Sequence, residues 1–288
     1  MSADQANIAK ALRDAAVVLH AASDTPRLDA ELLMAEALGV TRSELLLRHM
    51  TAPVPAGISP LIARRLNHEP EAYILGRQEF RGLEFIVNSA VLIPRGDSEA
   101  VVDAALAACP DARRVLDCGT GSGALLLAAL AQLPQAHGVG IDRSIAALAV
   151  AAANAARLGL ANRARLLRAD WDQPGWADDL GHFDLILTNP PYVEETADLA
   201  ASVRMHEPAG ALFAGAEGLD AYRVLLPQLA GLLAANGVAL VEIGASQAEA
   251  VAAIARAQGF AVTLHFDLAG RPRALELKFS LGISPPTA

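Results

Sequence analysis

The chain has 288 residues, 53% hydrophobic and 19% charged, which excludes a disordered chain and, at roughly 150 residues per domain, points to about two domains. Lys and Arg number 23 against 32 Asp and Glu; the net charge of -9 and an aromatic content of 4% argue against a broad nucleic-acid surface. Cys109 and Cys118 are too few for a disulfide framework, and the apolar run 124–133 falls well short of the roughly 20 residues of a bilayer span, so a cytosolic chain without membrane or export segment is expected.

In chain order, Ile8, Leu12, Ala15, Ala16 and Leu19 recur at helical spacing. Pro26 after Thr25 opens a second helix, whose apolar stripe from Leu28 to Leu38 stops at Gly39. Thr41-Arg-Ser-Glu44 is a capping box leading into Leu45, Leu46 and Leu47, and Ser59-Pro60 starts a fourth helix to about Asn67. A helical domain over residues 1–72 follows, with no catalytic pattern in it. Residues 73–94 change texture: Phe80, Leu83, Phe85 and Val87 around Gly82 predict a hairpin in a linker.

Residues 95–288 form the third region, opening with a helix from Arg95-Gly-Asp-Ser-Glu99 through Ala108. Strands at 115–117, 138–141, 165–168, 183–188 and 238–243 then alternate with helices at 124–133, 144–158 and 219–235. That order predicts an α/β fold, a parallel sheet with helices on both faces. Residues 261–267 and 273–279 flank Gly270-Arg-Pro272 with no helix between them and read as an antiparallel pair at the end of the sheet. Only the Ser284-Pro-Pro tail reads as loose.

Asp117-Cys-Gly119-Thr-Gly121-Ser-Gly123 sits between a strand and a helix. Its glycines let the backbone approach a ligand where a Cβ would clash, and the helix start beyond offers free N–H groups. The pattern also fits a dinucleotide fingerprint. Asp142 ends the next strand, where a carboxylate accepts both hydroxyls of a ribose or, alternatively, caps the following helix. Asp170-Trp171 follows the third strand and lines an adenine pocket or packs in the core.

Thr188-Asn189-Pro190-Pro191-Tyr192 carries the sharper signal. Two prolines fix φ and remove two donors, leaving rigid carbonyls; Asn189 adds a side-chain oxygen and Tyr192 a flat face. Such a set holds the two N–H groups of a planar –NH₂. An amide or aniline-like nitrogen is a poor nucleophile because its lone pair is delocalised, so gripping both protons while a sulfonium methyl approaches suits N-methylation. His206-Glu207 lacks metal-ligand spacing, so no metal is expected; Glu207 before Pro208 reads as a brace, and Cys118 as a small buried filler.

At these residues the chain resembles the class I S-adenosylmethionine-dependent methyltransferases, and more closely the bacterial release-factor glutamine methyltransferases (PrmC or HemK family). The likeness spans nearly the whole chain and includes Tyr73-Ile-Leu-Gly76-Arg-Gln-Glu79-Phe80, Leu92-Ile-Pro94-Arg95, Val203-Arg-Met-His-Glu207-Pro208 and Asp267-Leu-Ala-Gly-Arg-Pro-Arg273 besides the two motifs above. It implies a Rossmann-like seven-stranded sheet, mostly parallel with one antiparallel strand, behind a small helical domain that grips the protein substrate. It implies S-adenosyl-L-methionine held by Gly119, Thr120, Gly121, Ser122, Gly123, Asp142, Trp171 and Asn189. It implies that residues Asn189, Pro190, Pro191 and Tyr192 bind the glutamine of the Gly-Gly-Gln motif of peptide chain release factors, with Asn189, Pro190 and Tyr192 acting in catalysis. One departure stands out: Pro94-Arg95-Gly96-Asp97-Ser98-Glu99 has glycine where the family usually has a second proline, which loosens that loop.

Three other readings remain open on sequence. An adenine-N6 nucleic-acid methyltransferase uses the same tetrapeptide, though the acidic charge and the lack of a long Lys/Arg cluster disfavour it. An NAD(P)-dependent oxidoreductase shares the glycine turn but leaves Asn-Pro-Pro-Tyr idle. A binding module without activity is the third. A monomer with no direct nucleic-acid partner is expected.

Overall fold

A computed structural model describes residues 7–279; the predicted loose tail lies outside the described residues. The chain divides into two compact units, Met1–Arg77 with Leu199–His206, and Gln78–Asp198 with Glu207–Ala288.

The first unit contains α1 (Ile8–Leu19), α2 (Pro26–Leu38), α3 (Arg42–Glu44), α4 (Ile58–Leu66) and α5 (Glu71–Leu75). Ile8, Leu12, Leu19, Leu33, Met34 and Leu45 are fully buried in its core. The capping box forms: Glu44 N donates to Thr41 Oγ1 at 3.2 Å and Thr41 N to Glu44 Oε2 at 3.0 Å. The helix it opens differs from expectation, winding into a π-helical turn over Leu45–His49. A buried ion pair, Arg65 Nε to Asp29 Oδ2 at 2.6 Å, ties α4 to α2.

The second unit begins within the hairpin of β1 (Arg77–Phe80) and β2 (Leu83–Ile86). Arg81 (φ 52) and Gly82 (φ 72) both take positive φ, which matches the twist of the flanking strands. There follow α6 (Glu99–Ala108), β3 (Arg114–Cys118), α7 (Ala124–Gln132), β4 (His137–Asp142), α8 (Ile145–Arg157), β5 (Ala164–Arg168) and β6 (Phe183–Thr188). After α9 (Ala201–His206), which belongs to the first unit, come α10 (Asp220–Leu229), β7 (Leu233–Glu242), α11 (Ala248–Ala257), β8 (Phe260–Phe266) and β9 (Pro272–Phe279).

The seven-stranded sheet has the order β5-β4-β3-β6-β7-β9-β8, with β9 antiparallel to both neighbours and the other pairs parallel. Buried residues of α6 and α7 cover one face, and those of α10 and α11, among them Tyr222, Leu225 and Val251, cover the other. The helix expected over 219–235 stops at Leu229. Its apolar tail turns instead into β7, because Leu232 and Leu233 pair with Phe183 at the start of β6 and strand pairing outweighs local helix preference. No helix among the described residues is long and apolar enough to cross a membrane.

The register positions the chemistry. Cys118 lies opposite both Ile141 and Thr188, and Asp142 opposite Arg168, so four strands end level with one another. The order of connection reverses between β3 and β6, and ligands of open α/β sheets bind in the crevice at such a switch.

Candidate active site

A cleft of about 430 Å³ opens at the carboxyl ends of β3, β4, β5 and β6, lined among others by Gly119, Thr120, Gly121, Ser122, Asp142, Trp171, Asn189 and Pro191. Thr188 Oγ1 donates to the Cys118 carbonyl at 2.8 Å, locking the ends of β3 and β6 together.

The glycine turn is built mostly from backbone. Gly119 N and Thr120 N both donate to the Ile141 carbonyl, at 3.0 and 2.8 Å, and Gly123 N donates to the Thr120 carbonyl at 2.7 Å. Gly119 (φ 75), Gly121 (φ 54) and Gly123 (φ 82) all sit in the left-handed region. A Cβ on Gly119 would stand 3.1 Å from the Trp171 ring, so the absent side chain lets the indole pack directly against the turn. Gly123 closes the turn and leads into α7 without lining the cleft.

Asp117 is buried, and its Oδ2 accepts from Thr120 Oγ1 at 2.7 Å while Oδ1 has no partner. Burial pushes its carboxyl up to about 7, helped by the negative Asp142 and opposed by the Thr120 hydroxyl. Asp142 Oδ2 accepts from Gly121 N at 3.0 Å and Oδ1 from Ser144 N at 2.9 Å. The cap of α8 is Ser144, whose Oγ accepts from Ala147 N, so Asp142 is free of that duty and faces the cleft. Each carboxylate oxygen keeps a lone pair for a ligand hydroxyl. Asp170 lines the cleft beside Trp171.

Across from the turn, the Asn189 side chain and the Pro190 carbonyl take no hydrogen-bond partner among the described residues. Asn189 and Pro191 line the cleft; Pro190 and Tyr192 stand outside its lining. The Tyr192 hydroxyl is engaged elsewhere, 3.4 Å from Glu242 Oε1 and 3.5 Å from Arg273 Nη1, and burial with the negative Glu242 pushes the phenol up to about 12. The Tyr192 carbonyl accepts from Gln247 Nε2 at 3.0 Å. Val193 pairs with the segment beyond, its N donating to Leu212 O at 2.8 Å and its carbonyl accepting from Ala214 N at 2.9 Å.

The loop with the departing glycine is held more firmly than its sequence suggests. Gly96–Ser98 is a 3₁₀ turn, and Asp97 Oδ2 accepts from Arg271 Nη2 at 2.9 Å and Arg273 Nη2 at 3.0 Å. The buried Glu207 braces the extended segment before it, accepting from Ile93 N at 3.2 Å and from the Arg95 guanidinium. Glu99 serves the hairpin, accepting from Arg81 N at 2.8 Å. His206 Nε2 lies 2.9 Å from the Asn67 carbonyl, within the first unit. No cluster of His, Cys, Asp or Glu suited to a metal occurs among the described residues. Cys118 is fully buried and its thiol is pushed well up by burial, as befits filler.

Sequence reasoning missed four residues of this region. Asn154, fully buried on α8, donates to the carbonyls of Ser122 (2.9 Å) and Ile86 (3.0 Å) and accepts from Ile86 N, tying the glycine turn to the hairpin. An amide amid alanines was its only signal. Glu242, Arg273 and Gln247 surround Tyr192 from β7, β9 and the start of α11; a lone carboxylate closing an apolar strand was the available hint.

Two family descriptions match: "PrmC N-terminal domain" over residues 10–76 and "Methyltransferase domain" over residues 110–262. The release factor glutamine methyltransferase of Caulobacter vibrioides is 44% identical over 243 residues, covering 82% of this chain and 83% of the relative. That of Bradyrhizobium diazoefficiens is 40% identical over 285 residues, covering 94% and 95%. That of Moorella thermoacetica is 45% identical over 243 residues, covering 82% and 84%. Among solved structures, a methyltransferase from Pyrococcus furiosus superposes with a TM-score of 0.50 at 14% identity, over 70% of this chain and 91% of that one, a likeness of fold. Sheet, cleft and relatives agree: the chain is a methyltransferase and belongs to the release factor glutamine methyltransferase family.

Proposed function

We propose that this chain transfers a methyl group from S-adenosyl-L-methionine to the side-chain amide nitrogen of the glutamine in the Gly-Gly-Gln motif of peptide chain release factors, in the cytoplasm where those factors act. One observation carries the reading: a proline-locked pair of unengaged acceptors, Asn189 Oδ1 and the Pro190 carbonyl, ends the strand next to the glycine turn, at the sheet's switch point. The cleft fits the cofactor. Trp171, packed against Gly119, offers an aromatic wall to the cleft, Asp142 offers lone pairs to a ribose, and the orphaned Asp117 Oδ1 offers an acceptor behind the turn. Gly119, Thr120, Gly121, Ser122, Gly123, Asp142, Trp171 and Asn189 are the residues that hold it in this proposal.

When bound, S-adenosylmethionine supplies an electrophilic methyl on a positive sulfonium. The chain's own residues do the rest. Asn189 accepts one amide N–H and the Pro190 carbonyl the other, fixing the nitrogen and favouring its pyramidal form. Pro191 holds both acceptors rigid. Tyr192 acts from below, through its tether, where a stacking face was expected. Pro208, Ala211 and Phe213 wall the cleft and exclude water. The two acceptors hold the amide protons, one of which is released to bulk solvent as the product leaves.

The test is mass spectrometry of release factor, DNA and ribosomal RNA after incubation with labelled cofactor. One added methyl on the Gly-Gly-Gln glutamine, and none on nucleic acid, is the expected result. Methylated adenine with unmodified release factor overturns the proposal.

A further inference from the structure

A buried ionic cluster lies beneath the substrate loop and touches neither turn nor cleft directly. Glu242 ends β7 at 1% exposure and Arg273 lies on β9 at 7%. The Tyr192 hydroxyl stands between them, 3.4 Å from Glu242 Oε1 and 3.5 Å from Arg273 Nη1, and those two atoms are 4.0 Å apart. The other arm of the guanidinium reaches Asp97 at 3.0 Å and Asp267 at 3.7 Å. Ser98, next to Asp97, continues the cluster to the cleft wall.

The cluster is a poor stabilising device. Arg273 Nε is buried without a hydrogen-bond partner, and Glu242 Oε2 has only the neighbouring Ser98 hydroxyl to turn to. Native structures rarely leave such atoms unsatisfied, and apolar residues of similar volume would stabilise this spot at least as well. What the cluster does accomplish is geometric: it grips the last residue of a tetrapeptide whose first two residues present the free acceptors. The prolines make residues 189–192 a stiff unit, so fixing the Tyr192 end fixes the other.

We propose that Glu242 and Arg273 are positioning residues that set the Asn-Pro-Pro-Tyr loop for turnover by holding the Tyr192 hydroxyl between them, an inference that rests on this loop being the amide cradle. The arrangement is pH-sensitive. Burial pushes the Glu242 carboxyl up to about 7, with Ser98, Arg273 and Tyr192 opposing and Asp97 reinforcing the rise. Tyr222, whose hydroxyl donates to the Glu242 carbonyl at 2.9 Å, completes the groups around it. Protonation removes the counter-charge of Arg273 and weakens the acceptor for Tyr192, so the grip slackens as pH falls below neutrality.

The experiment compares full-length wild type with Glu242→Gln, Tyr192→Phe and the double variant. Amide hydrogen exchange at Tyr192 and Val193 is read without cofactor, alongside S-adenosylhomocysteine affinity and the pH profile of methyl transfer to a release factor. Exchange at those two amides is expected to rise roughly 10-fold in each single variant, with protection of β7 and β9 retained. Turnover should fall at least about 10-fold with KM changing less, and the acid limb near neutrality should flatten in Glu242→Gln. The double variant should be no slower than the slower single one, since both break one contact. Unchanged exchange at Tyr192 and Val193 overturns the inference, as does loss of protection throughout β7 and β9, the mark of a merely structural cluster. Wild type that leaves release factor unmethylated sinks the proposed function, while the exchange data still decide the role of the cluster.

Discussion

The two walls of the cleft are held in opposite ways. The glycine turn is fixed by groups within about one βα unit of it: Asp117, Thr120, Ile141 and Asp142. The Asn-Pro-Pro-Tyr loop depends on partners far along the chain: Gln247, Glu242 and Arg273 under Tyr192, and Leu212 and Ala214 beside Val193. A wall made from its own backbone tolerates change elsewhere in the molecule. A wall hung from remote side chains inherits every disturbance to them.

The largest expected effect strikes a distant tether of the glycine turn. Asn154→Ala leaves the buried Ser122 carbonyl and the part-buried Ile86 carbonyl and N–H without this partner. A cost of about 3 kcal/mol follows, read as a fall in the urea midpoint, together with weaker S-adenosylhomocysteine binding. Wild-type stability in this variant would mean that the turn needs no support from the hairpin.

Asn189→Ala probes the opposite wall. A lost neutral hydrogen bond at a reacting group is worth about 1–3 kcal/mol, so turnover should drop by roughly 5- to 150-fold, far more than cofactor affinity, to which Asn189 also contributes. Equal losses in both would mean that Asn189 mainly holds the cofactor and would blur the contrast between the walls.

The buried carboxyls make stability pH-dependent in a definite direction. Asp117 and Glu242 both titrate at about 7 when folded, above their ordinary values of 3.8 and 4.5. Between those values and 7 the folded state binds more protons than the unfolded one, so stability falls as pH rises through that window. Asp117→Asn should flatten this decline by about 1–2 kcal/mol between pH 5 and pH 8, measured by denaturant titration at each pH. A decline of unchanged steepness would show that Asp117 is ionised at little cost.

The smallest effect concerns Gly96. Its φ is not in the left-handed region, a Cβ there meets nothing within 4 Å, and Arg95 before it has ψ 140, the conformation a following proline demands. Gly96→Pro should therefore raise stability by about 0.4–1 kcal/mol with activity intact, through a stiffer unfolded chain. Destabilisation would show that the turn at 96–98 needs the glycine after all.

The contrast between the walls also explains what the sequence made legible. Asp117 to Gly123 and Asp142 stand within reach of their own strands, where glycine spacing and a strand end mark them, whereas the cap of α8, open to Asp142 on sequence, is Ser144. The strands appeared as apolar runs because both faces of a parallel sheet are buried. The end of α10 was misplaced because Leu232 and Leu233 are equally good in a helix, and only pairing with Phe183 decides. Asn154, Glu242 and Arg273 escaped because a polar residue's role depends on a partner on another element. Tyr192 was found for its ring, yet its hydroxyl is what the fold engages.

The bond from Thr188 Oγ1 to the Cys118 carbonyl has a consequence for how such enzymes diversify. Because the glycine turn and the Asn-Pro-Pro-Tyr loop hang from adjacent strands, the span between them is a constant of the β-lattice, about 4.8 Å per step, and not a property of any loop. Selection can therefore rebuild the outer segments to admit a new recipient molecule while the reach of the transferred carbon stays the same.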